Sequence, residues 1–294
     1  MPHARAMRPR GKRALFLGFL PVVLVLIAAG AFVYASKSPQ ALFSPTLTPI
    51  SVDEAVQEYR ANPKPLRSDI AMAAELPAPP AANLAGFTPP EPGVYVYKTS
   101  GSDWVDYNGQ RYERTFPDIT PGIVLRDAGC VWELYFKTAR EYTDGHRQCS
   151  APGEFLCLAH ISDISFGSVA KDMTHTCDPG MIQVGAKAVG PGGTQSTTCY
   201  SGEDASKISI TFKENTTVDV GGVPVPAYRV ELVSTIEGHN MAGSAKADVY
   251  FETKTGTYLK LVRSQDTSAM LPDGTHATYQ VRISYELTSL TPRT

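Results

Sequence analysis

The chain has 294 residues, 43% hydrophobic and 19% charged, with five cysteines and 23 prolines, a composition that supports a sizeable folded core and excludes a low-complexity chain. Its net charge of −2 is unevenly placed. The first 35 residues carry five basic and no acidic side chains, which leaves −7 for the remainder and argues against a nucleic-acid partner, because such a partner calls for a basic face.

At the N-terminus, Arg5, Arg8, Arg10, Lys12 and Arg13 precede an uncharged, mostly apolar run from Ala14 to Ala35. As a helix rising about 1.5 Å per residue, the run spans roughly 33 Å, enough to cross the hydrocarbon core of a bilayer. Pro21 is compatible with such a helix. A transmembrane helix is therefore predicted over 14–35, with residues 1–13 as a cytoplasmic basic tail and the rest of the chain extracytoplasmic by the positive-inside rule. The alternative is a secreted protein cleaved near Ala35, although the apolar run exceeds the usual export core of about 7–15 residues. No cysteine closely follows the run, which argues against an N-terminal lipid anchor.

Residues 36–92 read as a proline-rich stalk. Within it, Ser51 and Glu54 form a capping box ahead of Val52, Ala55, Val56 and Tyr59, so a helix is predicted over 51–61 and stopped by Asn62 and Pro63. Eleven residues make a marginal helix alone, so its apolar stripe is expected to dock on the domain or a partner. A second short helix is predicted over 69–76, capped by Ser68. Six prolines between Leu76 and Pro92 then exclude regular structure, and this segment reads as a spacer of roughly 50 Å if extended.

Residues 93–294 read as one extracytoplasmic β domain. Tyr279, Val281, Ile283, Tyr285 and Leu287 alternate with polar residues, the period of a half-buried strand. Tyr228, Val230 and Leu232 repeat the pattern, as do Ile208, Ile210 and Phe212, and Trp132, Leu134 and Phe136. Asn108-Gly109, Asp144-Gly145, Gly221-Gly222 and Asp273-Gly274 are predicted hairpin turns, and Lys254-Thr255-Gly256 is predicted as a hairpin tip. The fold class is mainly β: a large antiparallel sheet of about a dozen strands, as a half-barrel or sandwich, with the N-terminal transmembrane helix and one or two short helices.

Five cysteines beyond the apolar run imply two disulfides and one spare thiol in an oxidising compartment. No spacing typical of a metal site occurs, and neither metal nor cofactor is predicted. Ser168 and Lys171 match Ser-x-x-Lys, and Lys254 to Gly256 match Lys-Thr-Gly, two motifs of penicillin-recognising serine enzymes. Gly167 before the serine and strands on either side contradict the helix that chemistry needs, so both matches read as coincidence. Six histidines are scattered along the chain; His160 with Asp163, or His175 with Asp178, are candidate catalytic pairs, but no Gly-x-Ser-x-Gly elbow accompanies them. No catalytic residue is assigned. Tyr95, Tyr97, Trp104, Tyr107 and Tyr112 read as cross-strand packing. Asn215-Thr216-Thr217 is a glycosylation sequon whose meaning depends on a eukaryotic secretory host.

Pro89 to Ser100, then Ala128-Gly129-Cys130 with Trp132 and Cys149, Thr176-Cys177, and the Thr255-Gly256 hairpin together resemble a family of actinobacterial-type single-span envelope proteins. The second half is similar in architecture to the LolA and LppX lipoprotein-carrier half-barrels, in which a curved sheet wraps an apolar cavity. The first resemblance implies bridges from Cys130 to Cys149 and from Cys177 to Cys199, leaving Cys157 buried and free. Strand geometry leaves the first pairing open: a turn at Asp144-Gly145 brings Cys157 nearer to Cys130, whereas a turn at Ala139-Arg140 sets Cys130 opposite Cys149. Trp132, Leu134 and Phe136 share one strand face and are expected as core or as the lining of a ligand cavity. The function expected is a membrane-anchored, non-enzymatic binding or interaction module of the cell envelope, with a lipid or an envelope protein as partner. The alternative is a carrier or sensor of a hydrophobic ligand.

Overall fold

The structure, a computed structural model, describes residues 45–64, 87–127, 129–151, 154–167, 169–185, 192–202, 204–238, 241–270 and 274–294. The span predicted over 14–35, the helix predicted over 69–76 and most of the Leu76–Pro92 segment lie outside the described residues. No described helix is long and apolar enough to cross a membrane.

Helix α1 (Val52–Ala61) begins where the capping box places it: Ser51 Oγ accepts from the Glu54 amide at 3.1 Å, and Asn62 closes the last turn on Glu58. Thirteen strands follow: β1 (Gly93–Tyr107), β2 (Gln110–Thr115), β3 (Ile119–Arg126), β4 (Val131–Ala139), β5 (Tyr142–Ala151), β6 (Glu154–Phe166), β7 (Val169–Gly185), β8 (Thr194–Ser201), β9 (Asp204–Val220), β10 (Val223–Glu237), β11 (Met241–Glu252), β12 (Tyr258–Met270) and β13 (His276–Leu287). From β3 to β13 each strand pairs antiparallel with its neighbour in sequence, which short hairpin connections favour. The long β1 pairs with β3 over its first half, β2 over its second half and β13 along its other edge. That last pairing joins the two ends of the meander, so the predicted antiparallel sheet curls into a barrel, with β2, paired to β1 alone, keeping one edge.

Asn108 (φ 50°) with Gly109 (φ 75°), and Gly221 (φ 62°) with Gly222 (φ 89°), form the tight turns that the sequence predicts, and Lys254 to Gly256 link β11 to β12. Asp144-Gly145 is a correction. It lies within β5, and the turn between β4 and β5 falls at Arg140-Glu141. The glycine answers a packing demand there: Gly145 stands opposite Tyr135, and a Cβ would lie 2.8 Å from Tyr135 Cδ1.

The enclosed face carries the main core. Tyr97, Trp132, Leu134, Phe136, Phe155, Phe251, Tyr258 and Tyr285 fill one part of it. On the outer face, Ala55 and Val56 of α1 pack with Val94, Ile123, Leu125, Tyr135 and Ile161, so the helical stripe docks on the barrel. Both faces of β4 are buried: on its outer face Tyr135 packs with the helix cluster, Val131 with Cys149, Leu156 and Leu158, and Glu133 pairs with Arg147. Phe87, read from sequence as part of the spacer, is a core residue: it is 5% exposed and its ring lies 5.8 Å from that of Phe155.

The weakest ladder is β7–β8. Among the described residues it has two register pairs, Thr176 with Tyr200 and Cys177 with Cys199, and the second is also a disulfide.

Candidate functional site

A cavity of about 140 Å³ lies inside the barrel, between β5–β7 on one side and β9–β12 on the other. Ile208, Leu232, Ile236, Val249, Phe251 and Leu261 form its apolar wall, and His146, His160, His175 and Arg263 form its polar wall.

The polar wall is built by strand register. His146 of β5 faces His160 of β6, which faces His175 of β7. In a regular strand Cys157 and His160, three residues apart, would point to opposite faces. An extra residue in β6, Leu158, shifts the register between Cys157 and Ala159, so both Cys157 and His160 turn inward while Leu156 and Leu158 pack outside. The inward alternation of Tyr142, Asp144, His146 and Gln148 along β5 supplies the rest.

Asp144, 1% exposed, anchors the group. Its Oδ1 lies 2.7 Å from His160 Nε2 and its Oδ2 2.7 Å from Arg263 Nη1. Arg263 Nη2 also donates to the Tyr142 hydroxyl at 2.6 Å. Burial opposes the charge on Asp144, but Arg263 and then His160 outweigh it and hold the carboxyl below the usual carboxylate range. Burial pushes the His146 imidazole down to about 3 and that of His175 down to about 4, so both are neutral at pH 7. Each has a buried Nε2 without a hydrogen-bond partner. The His146 ring lies 5.1 Å from His160 and 5.1 Å from Tyr258.

A second buried pair adjoins this group. Arg114 donates twice to Asp103, at 2.9 and 2.6 Å, and Tyr279 donates to the same carboxylate at 3.3 Å. The Arg114 guanidinium carbon also lies 3.4 Å from the centre of the Phe166 ring.

The disulfides join Cys130 to Cys149 and Cys177 to Cys199, and Cys157 is free and buried. Burial pushes the Cys157 thiol up to about 12. Trp132, Leu134 and Phe136 are 0%, 1% and 0% exposed, and none lines the cavity. Phe136 stacks on Tyr285 at 4.2 Å and meets Tyr97 edge-on at 4.9 Å. Of the suggested catalytic pairs, His160 takes Asp144 as its partner, whereas Asp163 is exposed and stands opposite Asp172. Ser168 lies outside the described residues; Val169 to Lys171 are strand, and Lys254 sits in the β11–β12 turn with its amide on Glu252. His276 is exposed at the start of β13.

No protein-family model matches the chain, and no curated protein does. Among solved structures, the hypothetical lipoprotein YmcC from Escherichia coli K12 is 11% identical with a TM-score of 0.30, covering 66% of this chain and 85% of its own. A protein assigned as a lipoprotein from Parabacteroides distasonis is 7% identical with a TM-score of 0.31, covering 71% of this chain and 99% of its own. At these scores neither likeness carries an argument about fold or function. The comparisons give no support to the actinobacterial envelope family or to the LolA and LppX carriers.

Proposed function

We propose that the chain is a membrane-anchored, extracytoplasmic, non-enzymatic binding protein that takes an apolar group into its barrel. The observation that carries this reading is the internal cavity, with one apolar wall and one polar wall. Volume sets the class of ligand. About 140 Å³ is close to the roughly 150 Å³ of a dry engineered cavity that accepts benzene, and it lies below the ~300–1,000 Å³ of pockets for drug-sized ligands. The site suits a single ring or a short acyl segment, and a whole lipid would have to leave most of its chain outside.

Two disulfides support an oxidising compartment, and the basic tail with its apolar run supports an anchor. The non-enzymatic reading rests on the polar wall. Among the described residues no serine or cysteine side chain hydrogen-bonds to the Asp144–His160 pair, so no activated nucleophile accompanies it.

Thermal melting of the full-length chain with benzene as probe tests this reading. A ligand held by the folded state alone raises stability by about 2.7 kcal/mol at a hundred times its Kd. A saturable rise in Tm is expected, and Ala247→Phe, which fills the cavity from β11, is expected to abolish it. No rise, or an equal rise in the variant, overturns the reading in favour of a solid interaction module.

A further inference from the structure

We propose that Asp144, His146 and His160 form a binding site for a borderline divalent transition-metal ion, Zn2+ or Cu2+, on the polar wall of the cavity. One ligand atom from each side chain lies within 4.8 Å of the other two. Two adjacent, in-register strands present all three, so the backbone fixes their spacing before any ion arrives. His146 supplies the independent sign of a missing ligand: the side chain is nine-tenths buried, lines the cavity and has an Nε2 without a hydrogen-bond partner.

The donor set selects the ion. Two imidazoles and one carboxylate suit zinc or copper, whereas calcium and magnesium call for six or more oxygen ligands. With bonds of about 2.0–2.1 Å, tetrahedral ligand atoms stand roughly 3.4 Å apart, so His146 must swing inward by about an ångström, and Asp144 Oδ1 and His160 Nε2, 2.7 Å apart, must part by about 0.7 Å. The ion takes the place of the hydrogen between Asp144 Oδ1 and His160 Nε2; the displaced proton moves to Nδ1 of the same ring, or leaves to solvent where Nδ1 already carries one. Water from the cavity fills the fourth position. His175, opposite His160 in register and with its own Nε2 unpartnered, stands beside the site.

Arg263 opposes the ion. Its Nη1 lies 2.7 Å from Asp144 Oδ2, so a dication shares its carboxylate with a fixed positive charge. This yields a prediction that a merely structural cluster does not share: removing the guanidinium strengthens metal binding. The proposal is independent of the apolar ligand, because the metal is titrated with no organic ligand present.

The test is titration calorimetry of the full-length chain with Zn2+, together with electron paramagnetic resonance of the Cu2+-loaded protein. One ion per chain is expected. His146→Asn and Asp144→Asn should each weaken binding by about tenfold or more. Arg263→Gln should tighten it, and His276→Asn, at an exposed histidine, should leave it unchanged. Circular dichroism establishes that each variant is folded. The copper spectrum needs no variant and should show coupling to two imidazole nitrogens. Absence of stoichiometric binding, equal losses in His146→Asn and His276→Asn, or a copper spectrum without nitrogen coupling overturns the proposal.

Discussion

Reducing the Cys177–Cys199 bridge should both destabilise the protein and open one seam of it. The bridge closes a loop with a sequence separation of 22 residues, and the chain-entropy relation assigns about 3 kcal/mol to a loop of that length. The Cys130–Cys149 bridge, with a separation of 19, is assigned about 3 kcal/mol as well, because loop entropy varies slowly with length. Equal global costs conceal unequal local ones. Cys130–Cys149 sits beside a β4–β5 ladder of eight register pairs, whereas Cys177–Cys199 is half of the two-pair β7–β8 ladder among the described residues. Urea denaturation of the double variants Cys130→Ser/Cys149→Ser and Cys177→Ser/Cys199→Ser should therefore show similar losses. Hydrogen exchange should differ: in the second variant alone, the β7 and β8 amides should lose protection and a hydrophobic dye should gain access to the cavity that both cysteines border. If β7 and β8 stay protected in that variant, the bridge is not what holds the seam, and the reasoning fails.

Phe136→Ala should cost about 3–5 kcal/mol, since the ring is fully buried and away from the cavity; chemical denaturation measures the loss, and a loss under 1 kcal/mol would place empty space beside it. Arg114→Met should cost about 3–5 kcal/mol by leaving the Asp103 carboxylate buried without its partner, and the same substitution with Asp103→Leu should recover much of that loss. Cys157 should resist iodoacetamide at pH 8 in the folded protein and react on unfolding, because burial holds its thiol protonated; peptide mapping distinguishes the two states. An engineered Ser38→Cys should be labelled by an impermeant maleimide on intact cells, and labelling only after lysis would reverse the predicted topology.

Local chemistry made much of the fold legible. The capping box at Ser51 and Glu54 marks the start of α1, the alternation from Tyr279 to Leu287 marks β13, and Asn108-Gly109 and Gly221-Gly222 mark hairpins, because each signal lies within a few residues. Long-range features were not legible. Pairing of β1 with β13 joins residues nearly two hundred positions apart, and no local pattern announces it. Asp144-Gly145 carries a turn signature, yet its glycine answers to Tyr135 across the ladder. The histidine row depends on the bulge at Leu158, which reverses the inward parity of β6 and brings together residues scattered along the chain. Phe87 was obscured by the prolines around it, although its ring completes the core beside Phe155.

A crystal structure of the protein under xenon pressure tests the central claim most directly. Engineered apolar cavities of this size bind xenon, and the apolar wall of this cavity offers it the same kind of surface. The account predicts a xenon atom inside the barrel in contact with Leu232, Val249 and Leu261, with the surrounding strands unmoved. A cavity that stays free of xenon, or one collapsed onto its own side chains, would contradict it.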